Sequence, residues 1–272
     1  MNATLPSRLS RWVLVYLLVS TFAVAAETLA DGWRALADYR AEDAVRIFER
    51  LAVGADPAAG REARFGQAVA LLARQPITPV QIESARGIFS ELAAAGTDDA
   101  GLGARFYLAR IAQHHAAQPD EAAAARLYRE LIELRPESIW AQTALSRLAI
   151  LQIYALDPAL APAERVAKAE RLIAVARGPV AQSELHWLVA EAIFYYQLPP
   201  LPALPHLLAA ERLGRLDAVT HADVLVQIAA LSLKAGDPAQ VRTYFQKLLD
   251  TYPRDQRGYM VKRKLAELDA HP

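Results

Sequence analysis

The stretch from Ala104 to Pro136, ARFYLARIAQHHAAQPDEAAAARLYRELIELRP, constrains the fold more than any other part of the chain. Ala104, Leu108, Ile111, Ala112 and His115 fall at i, i+4, i+7, i+8 and i+11, which is one face of a 3.6-residue helix. Pro119 resets the chain. Asp120 and Glu121 then bring carboxylates to the first turn of a second helix, where they meet the positive end of its dipole. Ala124, Leu127, Tyr128 and Leu131 supply that helix with an apolar stripe, and Pro136 ends it by pushing its predecessor out of helical geometry. Two helices with facing stripes make a helical hairpin whose outer apolar surface still needs covering. Another copy of the hairpin would cover it.

The aromatic position of Tyr128, with small Ala124 four residues before it, recurs along the chain. Phe48 follows Ala44, Phe89 follows Ala85 and Phe245 follows Val241. Phe48 and Phe89 are 41 residues apart, Phe89 and Tyr128 are 39 apart, and the 117 residues from Tyr128 to Phe245 hold three intervals averaging 39. Two weaker copies are therefore expected between them, with Ile173 and Leu208 in the aromatic slot. Six hairpins result. The last carries Leu225, Ile228 and Ala229 on its first helix and Phe245 and Leu248 on its second. Beyond it, 255–269 is expected to form a capping helix on which Tyr259, Met260 and Leu265 cover the exposed end. Proline marks the irregular points at QPITP (75–79), DPALAP (157–162) and LPPLPALP (198–205), read as stiff turns within hairpins. The last of these also has a PxxP spacing that a polyproline-II ligand would show.

The order Ala112, helix break, Ala124, Tyr128, Leu131, Pro136 resembles the tetratricopeptide repeat, a 34-residue helical hairpin with small residues at helix contacts and a proline at its exit. Leu108 stands where that family usually has tryptophan, and His115 where it usually has tyrosine. The resemblance covers about residues 28 to 270, most clearly in the third and sixth copies. It implies an all-α fold, a right-handed α-solenoid of about six hairpins plus a C-terminal capping helix.

The first 26 residues read as a secretory signal peptide: Arg8 and Arg11, an apolar run from Trp12 through Val24, and the small-x-small pattern Ala23-Val24-Ala25. The run is shorter than the roughly 17 to 25 residues that span a bilayer, so cleavage is favoured over an uncleaved inner-membrane anchor. Residues 27–272 then form the solenoid, exported to the periplasm. Losing Arg8 and Arg11 takes the 30 basic side chains to 28 against 30 acidic ones, a balance that does not steer the chain toward nucleic acid or an anionic membrane. The absence of cysteine excludes disulfides, thiol catalysis and thiolate metal sites.

No catalytic pattern stands out. His114 and His115 are adjacent and diverge by about 100° on a helix, and His186 has Glu191 five positions on, the wrong spacing for a shared face. A GxSxG elbow, a phosphate loop and a dinucleotide fingerprint are absent, and Gly101-Leu102-Gly103 reads as a loop before a helix. Soluble lytic transglycosylases resemble this chain in having an α-superhelix, but they add a lysozyme-like domain after it. The expectation is a non-enzymatic chain without cofactor or metal.

Tetratricopeptide arrays act through a concave face lined by the first helix of each hairpin. The resemblance places Phe106, Ala109 and Gln113 of the third copy, Trp140, Thr143 and Arg147 of the fourth, and His186, Val189 and Tyr196 of the fifth on that face. The lysine and asparagine of the family's two-carboxylate clamp are missing there. The aromatic members either line the groove or close gaps between hairpins. The ending FQKLLDTYPRDQRGYMVKRKLAEL is similar to that of outer-membrane assembly and cell-division coordinator proteins built on this repeat, which implies an adaptor for a protein partner in the cell envelope. The alternative is a solenoid binding a glycan or exopolysaccharide by ring stacking, as in polymer-export systems.

Overall fold

Most helices begin where a short polar side chain can take up a free backbone N–H. Thr28, Asp56, Thr78, Asp98, Asp120, Ser138, Asp217 and Asp237 each accept a hydrogen bond from the first turn that follows. Proline occupies the first helical position at Pro57, Pro79, Pro162, Pro179 and Pro238, where its missing N–H costs nothing. The structure, a computed structural model, describes residues 27–54 and 56–270. The proposed signal peptide lies outside the described residues.

Thirteen α-helices account for the described residues, and no strand occurs among them. They are α1 (Leu29–Ala37), α2 (Ala41–Ala52), α3 (Pro57–Ala73), α4 (Pro79–Ala95), α5 (Asp99–Arg110), α6 (Glu121–Leu134) and α7 (Ile139–Tyr154). There follow α8 (Pro162–Glu170), α9 (Pro179–Tyr195), α10 (Ala203–Leu213), α11 (Ala218–Lys234), α12 (Pro238–Thr251) and α13 (Gly258–Ala270). A π-helical turn, Ile111–His115, extends α5, and a 3₁₀ turn, Arg171–Ala174, extends α8. No helix among the described residues is long and apolar enough to cross a membrane.

Each helix packs against the next, as in an α-solenoid, and α1, α3, α5, α7 and α9 also touch one another in series. The odd-numbered helices thus form a continuous layer. That layer loosens at its far end, because α11 joins mainly through α10 and reaches α9 by side chains such as Gln227, whose Nε2 donates to Glu191 Oε1 at 3.2 Å. The core divides accordingly into a cluster over α1 to α5, a central one from α5 to α11, and a small one joining α11, α12 and α13.

The even-numbered helices carry the recurrent aromatic position. Phe48, Phe89 and Tyr128 are fully buried and Phe245 nearly so, over the fully buried Ala44, Ala85, Ala124 and Val241. In α10 the position belongs to Leu207 over Ala203, both fully buried, and the expected Leu208 is only half-buried. Ile173 is half-buried in the 3₁₀ turn. Residues 198–202 lead into α10 and leave Pro205 in its first turn, where proline is tolerated.

Three local expectations are corrected. Gly101, Leu102 and Gly103 lie inside α5, not before it. A Cβ on Gly101 would stand 2.3 Å from the Gly96 carbonyl oxygen, and one on Gly103 would stand 2.8 Å from the Phe65 ring, so both glycines serve close approach. The stripe through His115 does not continue α-helically: the backbone widens at Ile111, and Ala116 N–H donates to the Ile111 carbonyl at 2.9 Å. On α13, Val261 is the fully buried residue, with Leu265 and Leu268 packed beside it, whereas Tyr259 is 80% exposed and Met260 also faces solvent.

Candidate functional site

The face presented by the odd-numbered helices carries two clefts, one of about 430 Å³ bordered by Trp33, Glu62, Phe65, Asp99 and Trp140 and another further along around Trp187. At the first, aromatic side chains from successive helices meet. Trp33 of α1 stands 6.1 Å from Phe65 of α3, and Phe65 stands 5.4 Å, edge-on, from Trp140 of α7. Trp140 also contacts Phe106 at 5.5 Å and Tyr107 at 6.1 Å. Each indole has its N–H satisfied by a carboxylate: Trp33 Nε1 donates to Glu62 at 3.1 Å, and Trp140 Nε1 donates to Asp99 at 2.9 Å. Beside them Arg61 grips Asp98 through two hydrogen bonds of 2.7 and 2.6 Å, which hold the Asp98 carboxyl below its ordinary range while it caps α5.

Further along, a cleft of about 460 Å³ opens between α7, α9 and the approach to α11. Thr143, Arg147 and Ile150 line its α7 wall, Glu184 and Trp187 its α9 wall, and Arg215 its third side. The space exists because the start of α11 does not close onto α9. The carboxylates at its edge are already engaged. Glu184 Oε2 accepts from Ser146 Oγ at 2.6 Å, and Asp217 caps α11 by accepting from the Val219 and Thr220 amides and the Thr220 hydroxyl. Among the described residues, no acidic side chain comes within ion-pairing distance of Arg147 or Arg215, although Glu184 and Asp217 bring two carboxylates to the same cleft.

The six residues expected on this face do not form one cluster, although Phe106 and Trp140 are in contact. Phe106 is 3% exposed and packs against Tyr128 and Trp140, so a ligand on the face does not reach it. Gln113 is also buried, and its Oε1 accepts from Tyr128 Oη at 3.0 Å. Burial pushes the Tyr128 hydroxyl up to about 12. Trp140 is half-buried and borders the first cleft. Arg147 lines the cleft. His186 turns toward α10, where its Nδ1 lies 3.0 Å from His206 Nδ1, and Glu170 lies 3.5 Å from the far nitrogen of His206. Burial lowers the proton affinity of both imidazoles, the His206 ring and Arg212 lower that of His186 further, and Glu170 opposes the shift in each. Tyr196 reaches sideways: its hydroxyl donates to the Ile153 carbonyl at 2.7 Å, and Arg165 lies over its ring at 5.0 Å.

Residues not expected on the face take these places. Trp187 fills the cleft wall beside His186, and Tyr195, 67% exposed, stands edge-on to the partly exposed Tyr154 at 5.1 Å. The spacing Glu184, Trp187, Glu191, Tyr195 at three- and four-residue steps carries a signal for such a face. It is masked because α9 is apolar on almost every side, with Ala181, Leu185, Leu188, Val189, Ala192 and Ile193 all buried. Arg215 sits in the turn before α11, where no periodicity exists to find it.

Two arginines, two carboxylates, an indole and an aliphatic wall give the cleft a mixed polar and apolar lining. No group of three or more metal-ligating side chains converges among the described residues. Comparison with known protein families and with curated proteins yields no match for this chain.

Proposed function

We propose that this chain is a non-catalytic scaffold that binds a protein partner across the face of its odd-numbered helices, as a right-handed array of six tetratricopeptide-like hairpins closed by α13. The observation that carries the reading is the cleft around Trp187, which combines an indole, aliphatic side chains, two arginines and two carboxylates on the face of the odd-numbered helices. Residues 1–26 support export to the periplasm, and the similarity of the last hairpin to envelope assembly proteins supports a partner in the cell envelope. A glycan is the second reading. The exposed rings of Tyr154 and Tyr195, at the open end of the same face, favour it because sugars stack on such surfaces.

A photoreactive amino acid in place of Thr143, inside the cleft, tests the proposal in cells. One dominant envelope protein crosslinked from position 143, and not from the exposed position 126 on α6, is the expected result. Equal crosslinking from both positions, or none, overturns it. Wall or capsule fragments at position 143 transfer the face to the glycan reading.

A further inference from the structure

His186 and His206 take no part in the cleft around Trp187, yet they bring two titratable rings into direct contact. Their Nδ1 atoms lie 3.0 Å apart in a half-buried contact between α9 and α10. An N–H···N hydrogen bond of that length needs a proton on one Nδ1 and a bare lone pair on the other. Glu170, at the end of α8, faces the far nitrogen of His206 at 3.5 Å, which favours a proton there and leaves the His206 Nδ1 as acceptor for the Nδ1–H of His186. The contact therefore survives with both rings neutral or with one charged. It does not survive with both charged, since each Nδ1 then carries a proton. Burial opposes charge on either ring, Arg212 of α10 adds to the repulsion at His186, and Glu170 offsets one positive charge; no charged group of α7 or α11 acts on the pair.

The two ends of α10 are held differently. Towards its C-terminus the Ala210 carbonyl accepts from Ser183 Oγ of α9 at 3.1 Å, Leu207 is fully buried, and Glu211 is held by Lys247 and Tyr244 of α12. The approach to its N-terminus contains Pro199, Pro200, Pro202 and Pro205, none with an N–H to donate. Ala203 is buried there, and the imidazole contact is the one side-chain hydrogen bond, among the described residues, that ties this end to α9. Beside it a cavity of about 430 Å³ is bounded by Val166 and Glu170 of α8, Val189 and Ile193 of α9, and Leu198 and His206.

We infer that the His186–His206 contact is an acid-sensitive clasp: when both rings are charged it parts, His206 stays with Glu170, and the first turn of α10 moves off α9 together with residues 198–202, widening that cavity. The device does not depend on what occupies the odd-helix face. Burial lowers the proton affinity of both rings, so below the ordinary histidine value of about 6.5 the unfolded chain binds more protons than the fold. The stability that the pair contributes is full above that value, is lost as the pH falls through it, and changes no further once both rings are charged in the fold.

Imidazole nitrogen NMR of the isotope-labelled protein tests the geometry, and hydrogen exchange tests the motion. At about pH 8 a coupling between the two Nδ1 nuclei across the hydrogen bond is expected, and it should vanish by about pH 5. Over the same range the protection factors of amides in 203–208 should fall about tenfold, while those of α11 hold. His186→Gln and His206→Gln keep a hydrogen-bonding side chain without a titrating ring, and each should remove that fall. His221→Gln, whose ring bonds Tyr252 instead, should leave it in place. The wild-type coupling needs no variant, so the geometry stays testable should either glutamine unfold the chain. Absence of the coupling at about pH 8, or its persistence with both rings charged, overturns the clasp. Loss of protection that survives His206→Gln overturns it too. A coupling abolished by added zinc but unchanged on acidification hands the pair to a metal ion and overturns the proton as its trigger.

Discussion

Phe48 and Trp187 mark two ways in which the same helical layering can be finished. Phe48 is fully buried between two glycines: a Cβ on Gly32 would lie 2.6 Å from its ring, and one on Gly66 would lie 2.5 Å away. Missing side chains let α1, α2 and α3 close around one aromatic group, while Trp33, Phe65 and Trp140 meet beyond it and border a cleft of about 430 Å³. Around Trp187 no ring from a neighbouring odd-numbered helix fills the gap, α11 stands away from α9, and a cleft remains. Aromatic residues at helical spacing therefore mean core where glycine lets the backbones approach, and surface where the next helix is held off.

The comparison breaks most readily at its closed end. Phe48→Ala should destabilise the chain by about 3 to 5 kcal/mol, the range for emptying a buried aromatic site, and urea unfolding measures it. A loss below about 1 kcal/mol would mean that the glycine-walled packing is not what holds α1 to α3 together. Trp140→Ala against Trp187→Ala sharpens the contrast. The first removes packing on Phe65 and Phe106 and the hydrogen bond to Asp99, and should lower stability by about 3 kcal/mol. The second should lower stability less and weaken ligand binding more, and equal melting temperatures for the two variants would erase the distinction.

A pair of glycine substitutions probes the same point with opposite signs. Gly66→Ala should cost about 1 to 3 kcal/mol, because the Phe48 ring cannot retreat toward Gly32. Gly87→Ala, in α4 with open space around it, should stabilise by about 0.5 to 1 kcal/mol through helix propensity. Thermal or urea unfolding of both decides whether the glycine at position 66 serves close approach to Phe48.

The smallest effect belongs to the far end, where the Arg257 guanidinium and backbone amide hold the Asp255 carboxyl down at about 2. A depressed carboxyl contributes stability that is fully present above the ordinary value of about 4 and is lost as the pH falls toward about 2. Asp255→Asn should flatten that part of the melting temperature's dependence on pH, and an unchanged slope would remove the ion pair from the account of how this end is held.

The second helix of the hairpin from Ala104 to Pro136 was legible because its stripe is one-sided, with Ala124, Tyr128 and Leu131 buried. Its first helix is buried on more than one side, at Phe106 and Ala109 as well as Ala104 and Ile111. The face of α9 was not legible, since a helix buried on most sides loses the contrast between apolar and polar positions that periodicity needs. His186 and Tyr196 are each adjacent in sequence to residues that do line the face, Trp187 and Tyr195, and one residue is about 100° on a helix. Gly101 and Gly103 were misplaced for a related reason: glycine weighs against a helix by propensity, and only the proximity of the Gly96 carbonyl and the Phe65 ring makes it necessary there.

The sequence by itself determined that the chain is helical, where most helices start and stop, and which small and aromatic residues form the core of the second helix in most pairs. Those properties are local, set by caps, prolines and 3.6-residue spacing. Only the tertiary structure decided which aromatic side chains are sealed and which border a cleft, and which arginines form ion pairs. Those depend on how closely α3 approaches α1 and how far α11 stands from α9, distances between segments that no local pattern encodes.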